Sequence, residues 1–223
     1  MFEEKDYIMN MIRQFTNAIA SIMGLKAENK IEESQEVLTD ILKDFTGLNY
    51  EVLEALPYEI LIHKVSGSRQ TNAVKCLLLA ELLNQQADIY KIKGELSRAR
   101  NLYLKSLNIM INVILNGDNS VSEQNQAKVN KLIGIIGRFD VPKDSALLLF
   151  QYYELTKSYA KAEDVLFKLI DKAELNNDLL AKGMAFYERL INIDQTELQK
   201  GNLPIEEVLE GLANLKEFSV KIE

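Results

Sequence analysis

Hydrophobic residues recur at steps of three and four along nearly the whole chain, which is the spacing of an amphipathic helix. In the first segment they are Ile8, Ile12, Phe15, Ile19 and Ile22. Strand-like alternation of apolar and polar residues is missing, and only 3 prolines and 10 glycines interrupt the 223 residues. The pattern predicts an all-α fold of about ten helices, whose short connections favour antiparallel neighbours.

Turn and cap residues set the expected helix ends. Gly47 ends the second helix, Asn49 can cap the short helix that follows, and a loop is expected over residues 66–70. Ser120 and Glu123 have the spacing of a capping box. The expected helices cover about residues 4–24, 30–45, 49–56, 58–65, 71–93, 95–115, 120–139, 143–157, 158–173, 178–193 and 204–218.

The helix pair over residues 80–115 carries a distinctive pattern of large, small and turn residues. The pattern consists of Leu83, Gln86, Ala87, Tyr90, Gly94, Leu96, Ala99, Tyr103 and Ser106. Small residues such as Ala99 let two antiparallel helices approach closely, and Gly94 allows the reversal between them. In this spacing the pair resembles a tetratricopeptide repeat. That resemblance implies helix pairs stacked into an α–α superhelix, and it is nearly silent on activity.

Two weaker copies of the pattern flank this pair. One runs over residues 146–170 and departs from the pattern at Phe150, where a small residue is expected, and at Lys157, where glycine is usual. The other runs over residues 18–41. The equivalent small residues of the three copies are Ser34, Ala99 and Ala162. They are separated by 65 and 63 residues, which is close to the length of two repeats of about 34 residues.

We therefore expect one helical-repeat domain over residues 1–223. Its expected parts are a weak repeat at 15–47, a degenerate helix pair at 49–66, a clear repeat at 80–115, a degenerate helix at 120–140, a second repeat at 143–174 and a C-terminal helix pair at 177–220. The opening DYIMNMIRQ and the closing FYERL and GNLPIEEVLEGL also resemble a bacterial family of uncharacterised function. This second resemblance implies no activity.

Few residues suit catalysis or metal binding. The single cysteine, Cys76, excludes an internal disulfide, and the single histidine, His63, excludes a multi-histidine metal site. His63 could act as a base oriented by Glu59, but a surface or core-edge histidine is the simpler interpretation. Cys76 is expected to be a buried structural thiol, since a nucleophile needs a base and an electropositive setting. We expect no cofactor, no metal and no enzymatic activity.

The overall charge disfavours polyanionic partners. Lys plus Arg number 26 and Asp plus Glu 33, a net charge of −7, so nucleic acid and anionic membranes are not expected partners. Residues 58–145 are nevertheless basic, with 12 positive and 8 negative side chains. Their central positive residues are Lys91, Lys93, Arg98, Arg100 and Lys105. One interpretation is a docking patch for an acidic partner. The interpretation that we favour is a solvated loop whose charges cap the preceding helix and face the acidic ends of the same chain or of a neighbouring one.

The leading functional hypothesis is a scaffold that binds a protein or peptide on the concave face of stacked helix pairs. That face would carry Glu81, Asn84, Asp88 and Lys91 in the clear repeat, and Asp144, Leu147, Gln151 and Glu154 in the second. Tetratricopeptide relatives that bind a C-terminal carboxylate have a lysine and an asparagine near the positions of Asn84 and Asp88. In this chain Asp88 would repel a carboxylate, so that mode of binding is not expected.

A self-assembling structural homo-oligomer is the alternative function, and an enzyme is a distant third. The apolar residues of the first helix spread beyond one stripe, which predicts a homodimer. The charged N-terminal segment lacks the apolar core of a signal peptide, and no run approaches the roughly 18 apolar residues of a membrane span. We therefore expect a cytoplasmic protein.

Overall fold

The computed structural model describes residues 2–65, 69–117, 122–137, 141–172 and 177–220. Every regular element within these ranges is a helix, which confirms the predicted all-α fold. The helices are α1 (Phe2–Ala27), α2 (Ile31–Thr46), α3 (Tyr50–Ala55), α4 (Tyr58–Val65), α5 (Arg69–Ile92), α6 (Leu96–Asn116), α7 (Glu123–Ile136), α8 (Lys143–Leu155), α9 (Tyr159–Lys172), α10 (Asn177–Leu190), α11 (Gln195–Lys200) and α12 (Ile205–Val220).

Most helix ends lie within a few residues of their expected positions, and the exceptions have local causes. The loop expected over residues 66–70 is wrong at Arg69 and Gln70, which begin α5, while 66–68 lie outside the described residues. The helix α7 is capped by Ser122, whose hydroxyl accepts the Asn125 N–H at 3.2 Å. Ser120, the expected cap, lies outside the described residues.

Two other helix starts differ from expectation. Asn49 occupies the N-cap position of α3 with extended backbone, but its side chain makes no capping hydrogen bond. The short helix α11 was not expected from the sequence. It begins after Asp194, whose carboxylate accepts the Thr196 N–H at 2.8 Å, so an acidic N-cap organises a segment with little apolar periodicity.

One turn geometry recurs after α1, α5 and α8. Asn29, Gly94 and Lys157 have positive φ angles of 60°, 79° and 57°. In each turn the next residue donates its N–H to a carbonyl five positions back, over 2.9, 2.9 and 2.8 Å. These are the bonds of a Schellman motif, which closes a helix and reverses the chain. We call these three segments the repeat turns.

The small residues of the expected repeats are buried at the helix crossings. Each of Ser34, Ala99 and Ala162 lies five residues after its repeat turn and is at most 3% exposed. The paired helices α1 and α2, α5 and α6, and α8 and α9 pack directly on each other. The repeat alignment thus places equivalent residues in equivalent positions of three antiparallel pairs.

The chain divides into two compact units, residues 1–139 and 140–223. In unit 1, α5 packs on α6 and also contacts α1 and α2, while α6 contacts α4 and α7. The central helix is α6, which buries 12 of its 21 residues. This division does not test whether the two units form one domain, so the single domain remains a prediction.

In unit 2, α8 packs on α9, and α10 packs on α12 and α9. Phe150, which replaces the expected small residue, is buried with its ring 5.2 Å from that of Phe186 on α10. Gly211 of α12 lies directly against the ring of Tyr187, and a Cβ there would overlap that ring. Close helix approach in unit 2 therefore relies on a glycine as well as on Ala162.

Replacing Ala162 by leucine should lower the free energy of unfolding by about 1–3 kcal/mol, because extra methylenes must enter a closed helix crossing. Ala213→Leu is the matched control, since Ala213 is exposed on α12. Urea unfolding of both variants measures the difference. Equal stability of the two variants would contradict the assignment of residue 162 to a packed crossing.

Candidate functional site

The predicted face of the clear repeat lies along one side of α5. It comprises Glu81, Asn84, Asp88 and Lys91. Asp88 is bound by two neighbours: the Lys26 ammonium of α1 lies 3.0 Å from its Oδ2, and the Tyr103 hydroxyl donates to its Oδ1 at 2.6 Å. Burial and this carboxylate raise the pKa of Tyr103. Asp88 therefore joins α5 to α1 and α6.

The other members of this face differ in their surroundings. Glu81 accepts from Lys128 of α7 at 3.4 Å and from Gln85 at 3.0 Å. Asn84 is half-buried, and its Oδ1 has no hydrogen-bond partner among the described residues. Lys91 is exposed and takes part in none of the ion pairs between described residues. The carboxylates of the face thus bridge α5 to its neighbours, while Lys91 points to solvent.

The predicted face of the second repeat lies on α8 within unit 2. Both Glu154 carboxylate oxygens accept from Arg189 of α10, at 2.7 and 2.9 Å. Leu147 is partly buried against the core of the unit, and Gln151 is exposed. Asp144 is exposed in the first turn of α8. Of the two carboxylates on this face, Glu154 is engaged with a neighbouring helix.

Arg98 is the centre of a polar cluster that joins α3 to the α5–α6 pair. Its guanidinium donates to the two Glu54 oxygens at 2.9 and 2.5 Å and to Glu95 at 2.8 Å. It also lies 4.0 Å from the centroid of the Tyr90 ring, which adds a cation–π contact. The hydrogen bonds to Arg98 lower the pKa of Glu54 although burial opposes them.

Two more basic residues of the central region are used within the chain. Lys105 donates to the main-chain carbonyls of Leu53 and Glu54, at the C-terminal end of α3. Burial lowers the pKa of Lys105. Lys93 donates to Gln35 and lies 3.7 Å from Glu32. Arg98, Lys93 and Lys105 therefore make contacts within their own chain, and whether this region also binds an acidic partner stays a prediction.

An open groove lies between α6 and α7 in unit 1, and sequence reasoning did not anticipate it. Its volume is about 450 Å³. It is lined by Lys91, Leu96, Ser97, Ala99, Arg100, Tyr103, Ile135 and Ile136. The sequence carried a weak signal of this groove. Val129, Leu132 and Ile136 form the buried stripe of α7, and Ile135 is an apolar residue just outside that stripe. We call this feature the α6–α7 groove.

Of the two residues considered for catalysis, Cys76 is buried and His63 is exposed. Cys76 is 1% exposed, and burial raises the pKa of its thiol to about 11. The thiol is therefore protonated at neutral pH and a weak nucleophile. His63 and Glu59 are both exposed on α4, and no hydrogen bond joins them in the described structure. The structure does not assemble the suggested histidine–carboxylate base.

Among the described carboxylates of unit 2, Glu163 has surroundings that favour its neutral form. Burial raises its pKa, as do the nearby carboxylates of Glu207, Asp164 and Glu210, while the Tyr187 hydrogen bond lowers it. The Tyr187 hydroxyl donates to Glu163 Oε1 at 2.6 Å. Because Tyr187 itself packs on Gly211, this pair links α9, α10 and α12.

No group of three or more histidine, cysteine, aspartate or glutamate residues in the described part of the chain has the geometry to hold a metal ion. Likewise, none of the described helices is both long and apolar enough to cross a membrane.

Comparison with known protein families identifies the family of the chain. A model described as a family of unknown function (DUF6483) matches residues 1–220. The chain belongs to this family. The predicted resemblance to a family of uncharacterised function is thereby confirmed, while the tetratricopeptide resemblance stays a prediction. No curated protein and no solved structure matches the chain.

Replacing Glu54 by glutamine should lower the free energy of unfolding at pH 7 by about 1 kcal/mol, because one partner of a half-exposed charged pair is removed. The folded-state pKa of Glu54 lies below its ordinary value of 4.5. Its contribution is therefore complete above that value and is lost as the pH falls through the lower, folded pKa.

Urea unfolding at a series of pH values tests this dependence. The stability gap between parent and Glu54→Gln should narrow as the pH falls below the ordinary value of 4.5 and through the lower, folded-state pKa. Glu51→Gln, an exposed change on the same helix, is the control and should have little effect. A gap independent of pH would contradict the role assigned to the Glu54 carboxylate.

Proposed function

We propose that this protein is a non-catalytic scaffold that binds a protein or peptide through stacked, tetratricopeptide-like helix pairs. The observation that carries the proposal is the recurrence of the repeat turns at Asn29, Gly94 and Lys157. Each is followed by a buried small residue at the same distance. Stacked helix pairs of this kind expose extended surfaces that suit peptides and protein segments.

The placement of the chemically reactive residues supports a binding role. The Cys76 thiol is buried and protonated, and no hydrogen bond joins His63 to Glu59 among the described residues. The half-buried Glu163 carboxylate accepts a hydrogen bond from the Tyr187 hydroxyl and so joins α9 to α10. These groups serve packing between helices, and exposed side chains such as Lys91 and Gln151 remain available. The proposal retains the cytoplasmic location expected from the sequence.

The net charge of −7 favours a protein partner over nucleic acid. The partner need not contact the carboxylates of the predicted α5 and α8 faces, because Asp88 and Glu154 already pair with Lys26 and Arg189. Side chains that remain exposed, such as Lys91 and Gln151, are better placed to meet a partner.

The full chain, tagged in its native cell, should co-purify with a protein that also binds the purified chain. Isothermal titration of the two purified proteins should give a dissociation constant below about 10 μM, as for a specific complex. The tag alone is the control for enrichment. Failure of every enriched protein to bind the purified chain would contradict the scaffold function.

A self-assembling homo-oligomer is the second candidate, and the surface of α1 favours it. Met9 and Met23 are 58% and 56% exposed. They lie 14 residues apart, which places them on the same side of the helix about four turns from each other. Methionines form adaptable contact surfaces. Met11 and Phe15, in contrast, are buried within the unit and do not belong to this surface.

Light scattering at tens of micromolar should therefore give a mass above the monomer value of 25.4 kDa. The double change Met9→Glu and Met23→Glu should shift the mass to the monomer, because it places two charges in the contact. Leu209→Glu, at a residue 52% exposed on α12, is the control. A parent protein that is monomeric under these conditions would exclude the dimer.

A further inference from the structure

Three helices of unit 2 meet along one side of α10. A Cβ built on Gly183 would lie 2.6 Å from Leu215 Cδ1 of α12 and 3.2 Å from Leu166 Cδ2 of α9. One turn later on α10, the ring and hydroxyl of Tyr187 lie directly against Gly211 of α12. The two glycines let the helices approach this closely. We call this contact of α9, α10 and α12 the three-helix junction.

Glu163 brings a carboxyl group to the end of the three-helix junction. It lies three residues before Leu166, on the same side of α9. Its Oε1 accepts a hydrogen bond of 2.6 Å from the Tyr187 hydroxyl. Tyr187 is fully buried, and Glu163 is half-buried. Because the same hydroxyl lies against Gly211, the Glu163 carboxyl is held close to the backbone of α12.

The residues of α12 nearest to this carboxyl are acidic. Glu210 directly precedes Gly211, and Glu207 lies four residues before it, one turn along the helix. On α9, Asp164 follows Glu163 directly and is exposed, as are both glutamates of α12. Each of these three carboxylates raises the pKa of Glu163, because an ionised Glu163 faces three like charges.

Positive side chains of the surrounding helices have partners elsewhere. Arg189 of α10 donates to Glu154 of α8, and Lys182 of α10 pairs with a carboxylate of its own helix. The Lys161 ammonium of α9 lies 5.8 Å from the centroid of a tyrosine ring of α8. No ion pair between described residues includes Glu163.

Two other lysines of the facing helices lie further along them. Lys168 is five residues after Glu163 on α9, and Lys216 is six residues after Glu210 on α12. Five residues correspond to a net rotation of about 140° around a helix, so Lys168 lies on a different side of α9 from Glu163. The contact between Glu163 and α12 is therefore acidic on both sides.

Protonation of Glu163 changes the forces at the three-helix junction. The ionised carboxylate loses hydration there and is repelled by its acidic neighbours, whereas the neutral carboxyl avoids both costs. The Tyr187 hydrogen bond favours the ionised form but does not outweigh them, since the folded-state pKa of Glu163 lies above its ordinary value of 4.5. The stability that this proton contributes is complete below that value and is lost as the pH rises through the folded-state pKa.

We propose that the three-helix junction is a proton-sensitive contact of the fold. Uptake of one proton by Glu163 tightens the packing of α12 on α9 and α10, and release of that proton loosens it. A local change of charge thus acts on a whole packed helix. The inference does not depend on the proposed scaffold function, because it concerns the closure of unit 2 alone.

Hydrogen exchange of the full chain measures the opening of the three-helix junction, when it is followed by mass spectrometry of peptides from α9, α10 and α12. Exchange rates divided by the intrinsic rates at each pH give the opening equilibrium constant. The parent and Glu163→Gln are compared between about pH 4.5 and about pH 7. Glutamine keeps the size of the side chain and its acceptor for Tyr187, but it does not titrate.

The two proteins should differ only where Glu163 is ionised. Near pH 4.5 the opening constants should be about equal, and at about pH 7 the parent should open at least about threefold more than Glu163→Gln. Combining Glu207→Gln with Glu210→Gln should also lower the opening at pH 7, because two of the repelling charges are removed. Both side chains are exposed, so this double variant retains the packing of the junction.

Glu188→Gln is the matched control, since Glu188 is an exposed carboxylate of α10 next to Tyr187. It should keep the opening constants of the parent at both pH values. Equal opening of the parent and Glu163→Gln at pH 7 would show that Glu163 does not control the junction. A decrease with Glu188→Gln as large as that with Glu163→Gln would assign the effect to overall charge, and would equally overturn the proposal.

Discussion

A single left-handed residue at the end of the first helix sets the geometry of each repeated pair. At Asn29, Gly94 and Lys157 the positive φ angle lets two backbone N–H groups turn back onto the last carbonyls of that helix. At these three turns the following helix packs back on the first. The buried residue five positions later, such as Ala99, meets the partner helix at the resulting crossing. A non-glycine residue in this conformation costs about 1 kcal/mol, which packing along the whole pair offsets.

Local features of this arrangement could be predicted from the sequence, and features made by distant residues could not. Helical periodicity, the turn at Gly94 and the small residue at Ala162 are all encoded within short segments. Lys157 was expected to break the pattern, yet it adopts the same left-handed conformation as Gly94. The helix α11 escaped prediction because Leu198 is its only buried residue, too few to produce a stripe.

The residues of the candidate site show the same limit of prediction from sequence more clearly. Spacing on α5 correctly placed Glu81 and Asp88 on one side of a helix. It could not indicate that Lys26, 62 positions from Asp88, would neutralise that carboxylate. The α6–α7 groove also depends on two helices whose lining residues, Leu96 and Ile135, are far apart in the chain. Periodicity identifies the face of one helix, whereas an ion pair or a groove requires the neighbouring helix to be known.

Because Cys76 is buried, its chemical reactivity reports how often the helices packed around it in unit 1 separate. It is the single cysteine of the chain and lies 1% exposed within α5, which packs on α1, α2 and α6. A thiol-specific reagent reaches it only in molecules where that packing has transiently separated. When closing is fast compared with labelling, the rate of modification divided by that of a free thiol equals the opening equilibrium constant. The kinetics of one chemical reaction thus measure the local stability of the packing around α5, without any substitution in the protein.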